Sequence, residues 1–272
     1  MPRKRVLVKD IMSKPGVAIS KDEIVGVALE LMDKKDITHL IVLNKERGLV
    51  GILTAREIMD GLGSYRFQKI QARRIYVSAL MTEPPITIEQ NADASKAADI
   101  MISQGVEIIP VIKNSEVVGV VTETDLLKLL EGENGATAEK LMNPKHPRIN
   151  PGQRAVHART VMLETRSRLL PVCSGEKLLG IVTEMALAKT FYQVREKFPS
   201  RIMDSVVRRI IVEDIMLENP PTVGTSDNLG KIVQTVVENG IPAVPVVDSR
   251  MSLLGVLERR SLLKKLLPKY QV

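Results

Sequence analysis

The sequence predicts an α+β protein built from four copies of one β-α-β-β-α unit. Landmark residues recur at four places with nearly constant spacing, and each copy carries the same order of apolar periodicities. A unit of about fifty residues buries too little surface to be stable alone. Because repeats of this size complete their cores against neighbouring copies, we expect the four units to pack together.

The landmarks of each copy are a methionine near its start and a glycine in its last strand. The pairs are Met12 and Gly51, Met81 and Gly119, Met142 and Gly180, and Met216 and Gly255, separated by 39, 38, 38 and 39 residues. Two aliphatic residues follow each glycine, and then Thr54, Thr122, Thr183 or Glu258. We therefore place the copies, called repeats one to four, at about residues 8–60, 77–131, 138–188 and 213–267.

Repeat two shows the expected elements most clearly. In chain order they are a short strand at 85–88, a helix with the apolar stripe Ala94, Ala97, Ala98 and Met101, a buried strand at 108–112, a returning strand at 117–121 and a second helix from Thr122. The stripe has helical spacing and the two strands flank an Asn-Ser turn. In repeat one, the same pattern predicts a stripe of Ile24, Val27, Ala28 and Leu31, with Asp22 as the N-cap.

The chain is also duplicated as two halves. Arg73 and Arg74 recur 135 residues later as Arg208 and Arg209, within linkers at 61–77 and 191–212. The polar, glycine-rich segment 131–135 separates the halves. We therefore predict two modules, residues 1–134 and 135–272.

Charge, cysteine content and apolar run length indicate which partners and which cellular location to expect. The net charge is +7, which favours anionic partners, and the single cysteine, Cys173, lies in a predicted core strand. No signal peptide follows Met1, and no apolar run reaches the ~20 residues that span a bilayer. We expect a cytoplasmic protein without a membrane segment.

Enzyme and metal signatures are missing from the sequence. The three histidines, His39, His146 and His157, lie in unrelated contexts, and there are no cysteine pairs for zinc. The closest approach to a phosphate loop, residues 224–231, has five residues between its glycines where a P-loop has four. We therefore expect neither catalysis nor a bound metal.

The repeat pattern resembles the CBS domain, and the resemblance covers nearly the whole chain. In that family two repeats join through their sheets into a Bateman module, whose clefts commonly bind adenosine-containing ligands. A chain of four repeats resembles the nucleotide-sensing gamma subunit of the AMP-activated kinase and stand-alone archaeal and bacterial proteins. The resemblance implies two Bateman modules in a disc-like, pseudo-symmetric arrangement.

The resemblance also implies ribose-binding residues. In the family, an Asp three residues after the Thr of the last strand accepts hydrogen bonds from both ribose hydroxyls, as carboxylates do well. Thr122 and Asp125 match in repeat two, and Thr54 and Glu57 match in repeat one with a longer carboxylate. The third and fourth repeats have Ala186 and Ser261 at this position, so their sites are expected to be degraded. The alternative is that Asp125 only caps its helix.

The other ligand contacts follow from the same resemblance. Phosphate partners precede the buried strand of the sister repeat, which points to Thr38 and His39 facing Asp125, and to Arg168 in the other half, with Arg56 also available. Adenine would meet the first strand and the start of the second. In repeat two these residues are Pro85, Ile86, Thr87, Glu107 and Ile108.

We therefore expect a regulatory protein that binds an adenine nucleotide (AMP, ADP or ATP), with an S-adenosylmethionine-type ligand as an open alternative. It would report the ligand to a regulated protein, and homodimerisation would be a second way to complete the disc. The rival hypothesis is a nucleic-acid-associated or scaffold protein with vestigial clefts. It rests on the linkers, which combine basic residues with Tyr65, Phe67, Tyr76, Phe191, Tyr192 and Phe198. These aromatics could equally anchor the linkers to the repeats.

Overall fold

The computed structural model describes residues 5–14 and 16–267. Its helices are α1 Val8–Ile11, α2 Val25–Lys35, α3 Ala55–Gly63, α4 Ala94–Gln104, α5 Glu123–Leu127, α6 Ala138–Leu141, α7 Ala155–Thr165, α8 Glu184–Lys197, α9 Ser200–Val207, α10 Leu229–Glu238 and α11 Arg259–Leu263. Its strands are β1 Ala18–Ser20, β2 His39–Leu43, β3 Leu49–Thr54, β4 Ile88–Glu89, β5 Ile108–Lys113, β6 Glu116–Thr122, β7 Leu169–Ser174, β8 Lys177–Thr183, β9 Leu217–Glu218, β10 Val223–Gly224, β11 Ala243–Val247 and β12 Leu253–Glu258.

The four-repeat α+β prediction is confirmed. Three repeats form a three-stranded sheet in which the first strand pairs parallel to the second and the third pairs antiparallel, in the orders β1-β2-β3, β4-β5-β6 and β10-β11-β12. In repeat three the first strand is reduced to one parallel bridge between Ile149 and Val172, and β9 of repeat four joins the sheet instead. The predicted strand at 85–88 is limited to Ile88–Glu89.

The landmark methionines and glycines contact each other between repeats. A Cβ atom on Gly119 would lie 3.1 Å from the sulfur of Met12 and 2.7 Å from the carbonyl oxygen of Ser13, and Gly51 stands in the same relation to Met81. Met216 lies against Gly180 and Met142 against Gly255 in the same way. The recurring methionines and glycines therefore form a reciprocal contact, which joins repeat one to repeat two and repeat three to repeat four.

The helices complete the core across these pairs. One cluster of buried residues joins repeats one and three, with Ile58 and Met59 of α3 close to Leu187 and Phe191 of α8. A second cluster joins repeats two and four in the same manner. All four repeats therefore meet around one centre. The division of the chain at residue 134 stays a prediction.

The predicted stripe of α2 is displaced. Val27 is 38% exposed, whereas Val25, Leu29 and Met32 are buried with Ala28. The N-cap is Ile24 rather than Asp22, because Ile24 forms an antiparallel bridge with Tyr76 of the linker. The N–H of Val25 accordingly donates to the carbonyl oxygen of Ile75 at 2.9 Å. This long-range pairing keeps the chain extended as far as Ile24.

The second predicted linker is largely helical. Helix α8 continues to Lys197, so Phe191 and Tyr192 lie within it, and Phe191 is fully buried. Helix α9 follows almost at once. Cys173 is buried in β7, as predicted. Within the described ranges, no helix combines the length and apolarity needed to cross a membrane.

Candidate functional site

A cleft between repeats one and two brings together eight of the predicted site residues. Its lining combines the end of β3, the segment before β4, the segment before β5 and three side chains from the other half of the chain. The predicted residues in it are Thr54, Arg56, Glu57, Pro85, Ile86, Glu107, Ile108 and Arg168. Ile52, Thr82, Pro84, Gly105, Val106, Glu184 and Arg260 complete the lining.

Glu57 supplies a carboxylate to this cleft from the first turn of α3. The backbone N–H of Thr54 donates to its Oε2 at 2.8 Å, and the Thr54 hydroxyl donates to the same oxygen. This reciprocal cap fixes the carboxylate at the end of the strand. Burial raises the pKa of Glu57, and the bonds from Thr54 only partly oppose this. The arrangement presents an oriented acceptor of the kind that vicinal hydroxyls require.

The walls of the cleft are aliphatic. Ile52 and Ile108 belong to a small buried cluster where the two sheets meet, and Ile86 is 38% exposed at the mouth. The lining contains no aromatic residue. A planar heterocycle would therefore be held between isoleucine and proline side chains, with its polar edge toward the backbone.

The inner end of the cleft holds a buried ion triad. Arg168 of repeat three forms hydrogen-bonded ion pairs with Glu107 and Glu123, both of repeat two. Burial alone would lower the pKa of Arg168, but the two carboxylates outweigh it and raise the pKa above its ordinary value. Burial would also raise the pKa of Glu107, yet the Arg168 and His39 charges bring it below its usual value. One guanidinium thus connects repeat three, in the second half of the chain, to repeat two, in the first half.

A second buried pair lies beside the triad. Arg56 approaches Glu184 Oε1 at 2.6 Å and donates to the carbonyl oxygen of Ser167 at 3.1 Å. Burial raises the pKa of Glu184 to about 8, although Arg56 opposes the shift. Arg260 donates to the carbonyl oxygen of Gly105 at 3.1 Å, and its Nε has no hydrogen-bond partner among the described residues. The three arginines of the cleft therefore come from three different repeats.

Thr122 and Asp125 lie outside the lining of this cleft. The N–H of Thr122 donates to Asp125 Oδ2 at 2.8 Å, the Thr122 hydroxyl donates to it at 2.7 Å, and the Ser13 hydroxyl donates to Oδ1 at 3.2 Å. Asp125 therefore caps α5, which is the alternative weighed from the sequence. Its role in ligand binding stays a prediction.

His39, Thr38 and Thr87 also lie outside the cleft. The Nδ1 of His39 is buried and has no hydrogen-bond partner in the described part of the chain. Burial lowers the pKa of His39, while Glu107 and Asp125 act in the opposite direction. Thr38 lines a separate central cavity together with Glu107 and Arg168.

Four charged residues at the centre were not predicted from the sequence. They are Glu123, Glu184, Arg259 and Arg260. Arg259 donates to Thr124 Oγ1 and to the carbonyl oxygens of Ile241 and Val236. A signal was available, because these residues occupy the first two positions after the strand-end Thr or Glu of their repeats.

The linker aromatics divide into two groups. Phe67 is buried, and the carbonyl oxygens of Leu62 and Phe67 accept hydrogen bonds from Arg195. Tyr65 is 71% exposed, but Arg208 lies over its ring at 5.0 Å and donates to its hydroxyl. The anchoring explanation therefore holds for Phe67. Among the described residues, no group of three His, Cys, Asp or Glu side chains could hold a metal ion.

Comparison with known proteins adds an independent finding. The family model described as CBS domain matches four segments of the chain, residues 8–64, 77–132, 138–192 and 212–268. The third segment includes Phe191 and Tyr192, which the sequence analysis had assigned to the second linker.

Several relatives match nearly the whole chain. Protein MJ1225 of Methanocaldococcus jannaschii is 24% identical in a 275-residue alignment that covers 95% of this chain and 98% of the relative. Its crystal structure, proposed as an archaeal homologue of g-AMPK, superimposes with a TM-score of 0.84 over 96% of this chain and 100% of that one. A 33.4 kDa protein of Thermofilum pendens is 26% identical over 88% of this chain and 83% of its own length. An uncharacterised protein from Pyrococcus horikoshii, 22% identical, superimposes with a TM-score of 0.63 over 96% of this chain and 100% of that structure.

Proposed function

This chain belongs to the CBS-domain family, and we propose that it is a regulatory protein that binds an adenine nucleotide in the cleft between repeats one and two. The observation that carries the proposal is the composition of that cleft. It combines one oriented carboxylate, aliphatic walls and three guanidinium groups at the inner end. These features match the ribose, the base and a phosphate group of one ligand, in that order.

The contacts of the ligand follow from this order. The Glu57 carboxylate accepts hydrogen bonds from the two ribose hydroxyls, while Ile52, Ile86 and Ile108 enclose the adenine. The phosphate enters between Arg56 and Arg168. Because guanidinium groups bind phosphate oxygens in a fork, both arginines are suited to this contact.

Regulation would result from the position of Arg168 in the contact between the two halves of the chain. This side chain comes from the second half of the chain and is held by Glu107 and Glu123 of the first half. A phosphate at the inner end competes with these carboxylates for the guanidinium. Binding therefore changes the contact between the halves, and we propose that a separate protein partner responds to this change.

The identity of the ligand is tested by mass spectrometry of what purified protein releases on denaturation, followed by calorimetry. AMP, ADP, ATP and S-adenosylmethionine are titrated into the full chain. We expect phosphorylated ligands to bind more tightly than S-adenosylmethionine, because the inner end of the cleft carries Arg56, Arg168 and Arg260. Tighter binding of S-adenosylmethionine would contradict the assignment of this end to phosphate.

The residue that binds ribose is tested by Glu57→Ala. Two hydrogen bonds to a charged acceptor are worth about 1.5–3 kcal/mol each, and water recovers part of the loss. We expect the dissociation constant for AMP to rise about ten- to thirtyfold. A 2′,3′-dideoxy nucleotide should bind the wild type and Glu57→Ala about equally.

Asp125→Ala is the matched control, because it removes the equivalent carboxylate outside the cleft. It should leave the Glu57 site unchanged and affect only binding at a second site facing His39. If Glu57→Ala binds AMP as tightly as the wild type, the ribose assignment is wrong.

A further inference from the structure

A further cavity, which we call the rim cavity, shares no lining residue with the nucleotide cleft or the central cavity. It is formed by the end of α3, the first turn of α7, the end of α8 and helix α9, and its volume is about 420 Å³. Its lining is Gly63, Ser64, Tyr65, Arg154, Val156, His157, Arg159, Thr160, Arg195, Asp204, Val207 and Arg208. Four guanidinium groups and one imidazole thus surround a space large enough for a small molecule.

Arg195 is the most informative of these residues. It is only 3% exposed, and no carboxylate forms an ion pair with it in the described part of the chain. Its Nε and Nη1 donate to the carbonyl oxygens of Leu62, Phe67 and Ile70, which leaves Nη2 for the cavity. A buried guanidinium without a counter-ion is costly, because it has lost hydration without gaining an opposite charge.

The other cations of the cavity are only partly neutralised. Arg159 pairs with Asp60, and Arg208 pairs with Asp204 at 2.8 Å. Arg154 donates to the carbonyl oxygen of Arg209 at 2.7 Å and has no carboxylate partner among the described residues. Neither Arg195 nor Arg154 has a carboxylate within ion-pair distance in the described part of the chain, although the Asp204 carboxylate of the same cavity acts on Arg195 from farther away. The N-terminal turn of α7 adds its positive dipole end on the same side.

We propose that this rim cavity binds a small phosphate monoester as its dianion. A dianion would compensate the two unpaired charges, and its oxygens would accept hydrogen bonds from Arg195 Nη2 and from Arg154. The hydroxyls of Ser64 and Thr160 line the same space and add neutral donors. The proposal is independent of the nucleotide cleft, since the two linings share no residue.

The experiment is calorimetry of the full chain with inorganic phosphate and with phenyl phosphate. Arg154→Glu reverses one uncompensated charge at an exposed position, and Arg201→Glu is the matched control on α9 outside the lining. We expect Arg154→Glu to weaken phenyl phosphate binding by about tenfold or more, and Arg201→Glu and Glu57→Ala to leave it unchanged. AMP binding in the cleft should be the same in wild type and Arg154→Glu.

Two further measurements define the ligand class. Phenyl sulfate carries a single negative charge where phenyl phosphate carries nearly two at neutral pH, so it should bind more weakly. Arg195→Lys keeps the charge but not the fork, so it should also weaken binding. If wild type binds neither phosphate probe, or if Arg154→Glu and wild type bind them equally, the proposal is wrong and Arg195 serves only to anchor the linker.

Discussion

Replacement of Arg168 by methionine tests the buried ion triad at the centre of the molecule. Methionine keeps much of the length and volume of the side chain but removes the charge. Glu107 and Glu123 would then remain buried without a cation, and their side chains are 14% and 1% exposed. Breaking a buried ion pair by removing one partner costs about 3–5 kcal/mol. We expect the free energy of unfolding to fall by that amount at neutral pH.

The pH dependence of this loss distinguishes charge from packing. Arg168 holds the pKa of Glu107 below its ordinary value against the effect of burial. Folding therefore gains stability from this group above the unfolded pKa, and loses it as the pH falls through the lower folded pKa. In Arg168→Met the largest charge that opposes burial is gone, so the folded pKa of Glu107 rises and protonation relieves the unpaired carboxylates. The difference between wild type and variant should shrink as the pH is lowered from about 7 to about 5.

Urea unfolding at several pH values measures this difference. The control is the triple variant Arg168→Met, Glu107→Gln and Glu123→Gln, which removes all three charges together. Replacement of a whole buried ion network is often neutral, so the triple variant should recover most of the stability. A loss below about 1 kcal/mol for Arg168→Met, or a loss that does not change with pH, would refute the reasoning.

Three further predictions concern packing and one buried acid. Gly119→Ala should lower the free energy of unfolding by about 1–3 kcal/mol, because the added Cβ would lie 2.7 Å from the Ser13 carbonyl oxygen. Urea unfolding measures this loss. Gly152→Ala is the control, because a Cβ there would have no heavy atom within 4 Å. Phe67→Ala should cost about 3–5 kcal/mol in thermal unfolding without changing nucleotide affinity, and an unchanged melting temperature would contradict its anchoring role. Glu184→Gln should stabilise the protein increasingly as the pH rises from about 6 to 8, because the raised pKa of Glu184 makes folding less favourable over that range. Equal urea midpoints for this variant and wild type at pH about 8 would contradict it.

The fold could be predicted from the sequence because the recurring methionines and glycines contact each other between repeats. Met12 of repeat one, for example, lies against Gly119 of repeat two. Local patterns succeeded where the repeat alone decides the structure, as in α4, where all four predicted stripe residues are buried. The stripe of α2 was displaced because the bridge between Ile24 and Tyr76 lies outside any local window.

The site was harder to predict, because its charges meet across the centre. Arg168 is 61 residues from Glu107 and 45 from Glu123 in the sequence, and no periodicity connects them. Family resemblance supplied the positions of the candidate ligand contacts repeat by repeat. It could not show that the carboxylate of repeat one and the strand starts of repeat two line one cleft, since that depends on how the paired sheets face each other.

The centre is asymmetric because four equivalent positions carry different side chains. Each repeat places one residue three positions before the Pro or Ile of its buried strand, and these residues are Thr38, Glu107, Arg168 and Pro242. All four line the same central cavity. The four positions are equivalent in the repeats, but only one carries a cation and only one an anion. Arg168 pairs with Glu107, and both residues also line the Glu57 cleft. An unequal set of side chains on a repeated fold thus makes one cleft electrostatically different from its counterparts.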